Sequence, residues 1–514
     1  MPAYDFTFYH WEKTTPNKPF LRQPFGDKWE VYTWAEAGQM ARKLATGLQS
    51  LGLPPKSHIG LVSKNCREWI IADLAIMMAG FVSVPFYPTL GADAVAELID
   101  IGDIKALFVG KLEDWKGMKN GVPTEMPIMS FPKYTGCSKI EEGENIYTFL
   151  NRFEPIQGEP SPELEDIWTI VFTSGTTGTP KGVVHTYRNL EATKQVTYKN
   201  NHLQLSYSGD NHFFSFLPLN HIAERILVES CLLAFGGTAS FPESLATFAE
   251  NLAESQPTFF FAVPRIWTKF QLSVLAKMSQ AHLDAALASP QAEVVKKQLR
   301  ISLGMDNVRG CITGAASTPE ATKQWFRNLD IPIAEGYGMT ENAAMCTCLE
   351  ASEMVIGSVG KALPGVDLNI DEETGEIMMR AAFVMQEYYK DSEKTAEVID
   401  KNGWLRTGDQ GHINEDGYLF ITGRVKDTFK TSKGKFIVPA PIEWEFASNS
   451  DIEQICIVGL GCPQPMALVV PSEMGAAKSQ AELKASLEAT LKEVNEKMPN
   501  YRKVSTIVIT KDVW

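Results

Sequence analysis

The sequence predicts an α/β protein: a large N-terminal domain of mainly parallel sheets covered by helices, followed by a small α+β C-terminal domain. Three observations carry this. At 514 residues the chain is too long for one compact core, so two or more domains are expected. The first 110 residues alternate short apolar runs with helical patterns in β-α-β-α-β order, which is how a parallel sheet covered by helices is written. Near residue 420 a predominantly apolar chain becomes rich in Lys and Gly, which places the domain boundary between residues 1–425 and 426–514.

The elements follow in order. "HIGLVS" (58–63) reads as a strand, and residues 66–80 as a helix closed by Gly80. "FVSVPFY" and "ALFVG" read as the next two strands, with a helix over 92–100 between them. Residues 111–166 are polar and rich in Pro, Gly and Glu, and are expected to be surface elaboration. "WTIVF" resumes the buried-strand pattern, and "FFSFLPL", "TFFFAV" and "VRGCITG" are further candidates. Beyond residue 426, "QICIVGL" and "MALVV" read as strands. Leu483, Leu487, Leu491, Val494 and Met498 fall at helical spacing over 481–498.

Composition excludes several classes. A net charge of −14 argues against a basic nucleic-acid-binding face, although a few local cations suffice for a phosphate. The apolar stretch 69–88 contains Asp73, Gly80 and Pro85. A charge at mid-bilayer costs about 3 kcal/mol, so a buried helix followed by a buried strand is the better reading. No integral membrane segment is expected, and peripheral membrane contact is left open. The N-terminus lacks a basic region followed by an apolar core, so no signal peptide is read. Eight scattered Cys without CxxC fit reduced thiols in the cytoplasm, and eight dispersed His without HExxH give no structural zinc site.

The chemistry begins at residues 173–182, "TSGTTGTPKG", directly after "WTIVF". Its glycines let the backbone turn tightly and expose N–H groups as an anion nest. The hydroxyls of Thr173, Ser174, Thr176 and Thr177 can donate to phosphate oxygens, and Lys181 adds a point charge. The composition fits a triphosphate grip. A P-loop is disfavoured: Pro180 stands where the second Gly belongs, and Gly182 where Ser or Thr would hold magnesium.

Downstream, residues 314–317 read "GAAS", small enough to admit a flat ring. Residues 336–341 read "GYGMTE", with an aromatic to stack, a hydroxyl and a carboxylate. "TGD" at 407–409 puts a carboxylate at a turn suited to a ribose diol. This ordered set resembles the adenylate-forming superfamily of acyl-CoA synthetases, nonribosomal-peptide adenylation domains and luciferases. "FLPLNHIAER", "TFFFAVPRIWTKF" and "GRVKDTFKTSKGKFIVPAPIE" are most similar to its long-chain fatty acyl-CoA synthetase branch.

The resemblance implies two half-reactions in one site: a carboxylate attacks ATP to give acyl-AMP, and the thiol of coenzyme A then displaces AMP. It implies that Thr173, Ser174, Gly175, Thr176, Thr177, Gly178 and Lys181 bind the phosphates, and that Glu341 holds Mg²⁺ with Thr173 nearby. Gly314, Ala315 and Ala316 would lie along the adenine edge, with Tyr337 stacking on its face and Glu335, Gly336 and Gly338 in the same strand and turn. Thr340 would contact the α-phosphate, Asp409 the ribose hydroxyls, and Arg424 the ribose or phosphate. His221 matches the position guarding the acyl-adenylate, while Glu224 and Arg225 read as a structural ion pair. Lys426 falls at the hinge about which a mobile small domain turns. Lys430 is expected to line the nucleotide site, and Gly434 to leave room for pantetheine. Lys433 reads equally well as part of a solvated face.

One motif departs from the pattern. The family's last Lys, in a stretch similar to "TPTLKLKR", has no counterpart in "VSTIVITKDVW", and Lys511 lies too early. The expectation is a chain short of the motif by a few dozen residues and weak in the first half-reaction. Alternatives are transfer to a carrier-protein thiol, and a non-catalytic acyl-nucleotide-binding protein. A P-loop phosphotransferase comes last. Acyl chain length and oligomeric state stay open.

Overall fold

The computed structural model describes residues 7–173, 179–446 and 449–511. Two large sheets organise the first four hundred of them. An eight-stranded sheet contains His58–Ser63 at its centre, paired in parallel with Val82–Phe86 on one side and Ile104–Gly110 on the other. Their connecting helices are Arg67–Met78 and Ala92–Ile101, so the β-α-β-α-β order holds. Every residue of Arg67–Met78 is buried, which explains its mostly apolar reading. Gly80 sits at φ +77° just beyond it, where the chain reverses into the next strand.

Ile167–Thr173 joins the same sheet beside Val82–Phe86 and turns back antiparallel onto Lys181–Thr186, with Thr173 opposite Lys181. The second sheet has nine strands, whose central run of His212–Phe214, Phe259–Ala262, Gly310–Thr313 and Ile333–Tyr337 is parallel. "FFSFLPL" contributes a shorter strand than expected, His212–Phe214, because the chain then leaves the sheet toward the segment around His221.

A π-helical turn, Arg225–Ser230, lies in the crossover between two strands of the nine-stranded sheet. Its Arg225 is fully buried at the seam with the other sheet. The guanidinium donates to Asp73 Oδ2 at 2.6 Å, Thr169 Oγ1 at 2.7 Å and Glu229 Oε2 at 3.0 Å, between the rings of Trp69 and Trp168. Asp73, the charge that interrupts the membrane-like stretch, is thus one half of a buried ion pair. The Glu224–Arg225 pair expected from sequence does not form: Arg225 is matched by Asp73 and Glu229, while Glu224 accepts from Ser215 Oγ at 2.8 Å.

Two further units follow. Asp367–Ile370, Glu376–Arg380, Leu405–Ile413 and Leu419–Arg424 make a four-stranded antiparallel sheet that the sequence reading does not foresee. Beyond it, Ile452–Val458, Met466–Pro471 and Ile507–Ile509 form a three-stranded sheet covered by Gln480–Lys497. Leu483, Leu487 and Val494 of that helix close a separate small core with Ile437, Ile457 and Val469. Among the described residues, no helix is long and apolar enough to cross a membrane. The eight cysteines are free thiols.

Candidate nucleotide and acyl site

The candidate residues converge at the carboxyl ends of the parallel strands, where open α/β sheets leave a crevice. Thr173 ends one strand of the eight-stranded sheet, while Thr313 and Tyr337 end neighbouring strands of the nine-stranded one. Ser174, Gly175, Thr176, Thr177 and Gly178 lie outside the described residues.

Lys181 stands where the hairpin re-enters the sheet, its ammonium 5.2 Å from the centre of the Tyr388 ring. Burial, and then the like charges of Lys394 and Lys426, lower its pKa. Cations placed so that they repel one another are stabilised by a shared anion, so this corner fits a polyphosphate. Beside it, the short helix Thr340–Asn342 carries Glu341, whose Oε1 accepts from Tyr388 Oη at 2.7 Å. His185 anchors the same turn, its Nε2 lying 2.7 Å from the Thr340 carbonyl. Burial lowers the His185 pKa to about 4, so the ring is neutral and Nε2–H is the donor.

The expected adenine loop follows Gly310–Thr313. Gly314 is buried, but Ala315 and Ala316 are exposed, and Ala315 adopts φ +65°. A Cβ on Gly314 would meet the Gly336 carbonyl oxygen at 2.8 Å, and one on Gly338 would meet the Ala344 backbone at 2.2 Å. Both glycines are therefore required by close backbone approach.

Glu335, expected at the cofactor, has partners within the protein. Its side chain is buried, and both carboxylate oxygens are taken: one accepts from the Thr318 amide at 3.0 Å, the other from Lys323 Nζ at 2.7 Å. Glu335 braces the end of the loop that follows Gly314 through that amide.

Tyr337 and Asp409 are brought together, with Tyr337 Oη donating to Asp409 Oδ2 at 2.7 Å. Burial, and then the neighbouring Asp409 charge, raise the Tyr337 pKa far above its ordinary value, so the phenol stays a donor. Asp409 lies in the strand Leu405–Ile413, with Gly408 at φ +77° before it, and Arg424 Nε is 3.3 Å from Oδ1. An aromatic face and a carboxylate thus share one corner, tied across two sheets.

Between this corner and the apolar interior lies a cavity of about 50 Å³, walled by Gly314, Gly336 and Met339 on the nucleotide side and by His202, Leu227 and Phe261 deeper in. It has room for a few waters rather than a long alkyl chain, so a large substrate must displace wall side chains. His221 stands in this wall as the N-cap of Ile222–Glu224, with Nδ1 accepting from the Ala223 amide at 3.3 Å. Burial lowers its pKa.

Lys430 and Gly434 are not joined to this cluster. Lys430 lies exposed on Phe429–Lys430, its ammonium 5.3 Å from the Phe436 ring, and Gly434 sits at φ +76° in the turn that follows. Lys433 is exposed in the same turn. Lys426 is close enough to Lys181 to depress its pKa.

Residues 8–389 match the family model described as AMP-binding enzyme, and residues 426–512 match that of the AMP-binding enzyme C-terminal domain. The chain belongs to the AMP-binding enzyme family. Relatives include the long-chain-fatty-acid–CoA ligase heimdall of Drosophila melanogaster, 30% identical over 81% of this chain and 68% of that protein. Long-chain-fatty-acid–CoA ligase 1 of Homo sapiens is 29% identical over 84% and 68%. Among solved structures, the anthranilate CoA ligase AuaEII in complex with anthranoyl-AMP shares the fold with a TM-score of 0.78, at 20% identity over 100% of this chain and 94% of that one. The o-succinylbenzoate CoA synthetase MenE of Bacillus subtilis, in complex with ATP and magnesium ion, does so with a TM-score of 0.76, at 20% identity over 98% and 95%.

Within this AMP-binding enzyme, His185, Lys323, Tyr388 and Lys394 support the site but stand out in no motif. Tyr388 and Lys394 reach it from beyond residue 385, and His185 reads in sequence as one more position of a buried strand.

Proposed function

We propose that the chain is an AMP-forming acid–thiol ligase that activates a long-chain fatty acid with ATP and passes the acyl group to coenzyme A. The observation that carries this reading is the continuity of the site. The Lys181–Lys394–Lys426 cations and Glu341 occupy one end, the Tyr337–Asp409 pair the middle, and the cavity behind His221 the other end. The ligase names of the relatives at 29–30% identity support the thiol acceptor and the long chain.

In the first step a carboxylate oxygen bonds to the α-phosphorus and the bond to pyrophosphate breaks. In the second, the thiol sulfur bonds to the acyl carbon, its proton is lost, and AMP leaves. Neither step needs an enzyme nucleophile, so the residues act by placement and by neutralising charge. Lys181, with residues 174–178, takes the phosphate tail; Asp409 orients the ribose; Tyr337 supports the purine. Mg²⁺, held at Glu341, would neutralise phosphate charge, and a single protein carboxylate suits an ion that takes its other ligands from phosphate and water. His185 and Tyr388 fix the backbone and the carboxylate of that turn. Lys430 and Gly434 reach the site only if the small domain turns about Lys426.

The test is a product assay with ATP, coenzyme A and acids from short to very long. AMP, pyrophosphate and a coenzyme A thioester, with turnover highest for long chains, support the proposal. ADP and phosphate, or a thioester formed only on a carrier protein, overturn it.

A further inference from the structure

The chain carries a net charge of −14, yet one face of its small domain is built from three segments without an acidic residue: the hairpin over 428–437, the turn over 459–466 and the stretch 499–506. Hydrogen bonds hold them together. The Gly461 amide donates to the Lys430 carbonyl at 3.1 Å, and the Ser432 amide to the Cys462 carbonyl at 3.0 Å. The Ser505 amide donates to the Pro465 carbonyl at 2.8 Å, and Gln464 Nε2 to the Asn500 carbonyl at 3.3 Å.

These segments bring five cations, Lys430, Lys433, Lys435, Arg502 and Lys503, and among the described residues none of the five pairs with a carboxylate. Three apolar side chains stand exposed beside them: Phe436 at 63%, Leu460 at 77% and Tyr501 at 39%. Phe436 is the cross-strand partner of Lys430, and its ring lies 5.3 Å from that ammonium. The Tyr501 ring lies 6.0 Å from Lys435 Nζ and 5.6 Å from the Arg502 guanidinium. Rings and cations therefore share one side.

A soluble phosphate would satisfy the cations and leave Phe436 and Leu460 in water. An anionic bilayer takes both: the apolar side chains enter the headgroup boundary while the cations meet lipid phosphates. We propose that this face docks the protein on an anionic phospholipid surface. The negative charge of the remaining chain is repelled by the same surface, so it orients the encounter toward this face. The ligase reading gives the contact its purpose, because a long-chain acid partitions from water into bilayers, but the docking itself does not depend on it. The proposed thiol path uses Lys430 and Gly434 of the same hairpin, so the test leaves both untouched.

The experiment floats the full chain, without ATP or acid, on vesicles of phosphatidylcholine alone and of phosphatidylcholine mixed with phosphatidylglycerol. The expected result is capture by the anionic vesicles that exceeds capture by the neutral ones roughly tenfold or more and weakens as salt rises. Lys435→Ala with Lys503→Ala should lower the partition coefficient roughly 25-fold, about fivefold for each lysine near an anionic surface. Phe436→Ser with Leu460→Ser should lower it too, without changing its dependence on salt. Equal capture by neutral vesicles, capture by neither, or capture that both double variants leave intact overturns the proposal. So does capture that coenzyme A displaces and that Phe436→Ser with Leu460→Ser does not weaken, which marks a phosphate site instead. Lysine acetylation footprinting of the wild type keeps the test independent of how the variants fold: anionic vesicles should protect Lys433, Lys435 and Lys503, and unchanged labelling of all three overturns the proposal. A chain that docks but forms no AMP from ATP and a fatty acid keeps the surface and loses the ligase reading; one that forms AMP and ignores anionic vesicles does the reverse.

Discussion

A single lysine carries the phosphate end of the site. Lys181 is partly buried beside Lys394 and Lys426, and Met in its place would keep the stem and remove the charge. Lys181→Met is expected to lower kcat/KM for pyrophosphate release by roughly 100-fold or more, read with saturating acid, with little change in melting temperature. Glu224 gives a pH signature of the opposite kind. Fully buried, it has its pKa pushed up to about 8 by burial, against hydrogen bonds from Ser215 and the Phe216 backbone that lower it. Between its unfolded value of 4.5 and 8 the folded chain keeps a proton that the unfolded chain has lost, so this group's stabilisation is present at low pH and lost as pH rises through that window. Glu224→Gln should therefore gain on the wild type by a few kcal/mol between pH 5 and 8 in denaturant titrations. A difference that stays flat with pH contradicts the assignment. Motif reading singled out His221, which lines the cavity, but mispaired Glu224 with Arg225, because adjacent opposite charges on a helix point to different faces. Only the fold shows that Arg225 turns toward Asp73.

At the scale of elements, legibility followed periodicity. Strands buried on both faces, such as His58–Ser63 and Phe259–Ala262, read directly as apolar runs. The antiparallel sheet over 367–424 did not, because its half-exposed strands mix Asp, Glu, Asn and Gly among few apolar residues. The "TGD" motif sits in one of those strands, so its residues stood out in the sequence while their setting did not. Glu335 shows the limit of motif-based assignment. Its place beside "GYGMTE" suggested the cofactor, yet its partner Lys323 comes from the helix Glu320–Arg327. Lys323→Met would leave that carboxylate buried and unpaired, at a cost of about 3 kcal/mol or more, and would loosen the loop held through Thr318. The expected outcome is a lower unfolding midpoint and a raised KM for ATP, both largely restored by adding Glu335→Gln. Loss of stability with an unchanged KM would show that the brace does not reach the nucleotide.

Across the whole molecule, the contacts between the small domain and the large one include an ion pair, Arg265 with Glu453, and Thr428 Oγ1, which lies 3.2 Å from Gln410 Oε1. The Arg265 side chain is 61% exposed, so its ion pair adds little to stability, and whether it guides the small domain is a kinetic question. Arg265→Glu is expected to alter the ratio of acyl-AMP formation to thioester formation several-fold in rapid-quench kinetics. Adding Glu453→Arg should restore it, and the melting temperature should hardly move. An unchanged ratio in Arg265→Glu would mean that the pair does not guide the domain.

The buried Arg225 has a consequence for how the large domain comes apart. Its guanidinium is held by side chains from the eight-stranded sheet and its covering helix, while its backbone belongs to the nine-stranded one. Parting the lobes would pull the cation away from both indoles and leave the Asp73 carboxylate without its partner. Limited digestion should therefore pass from intact large domain to small peptides, with neither lobe accumulating as a fragment.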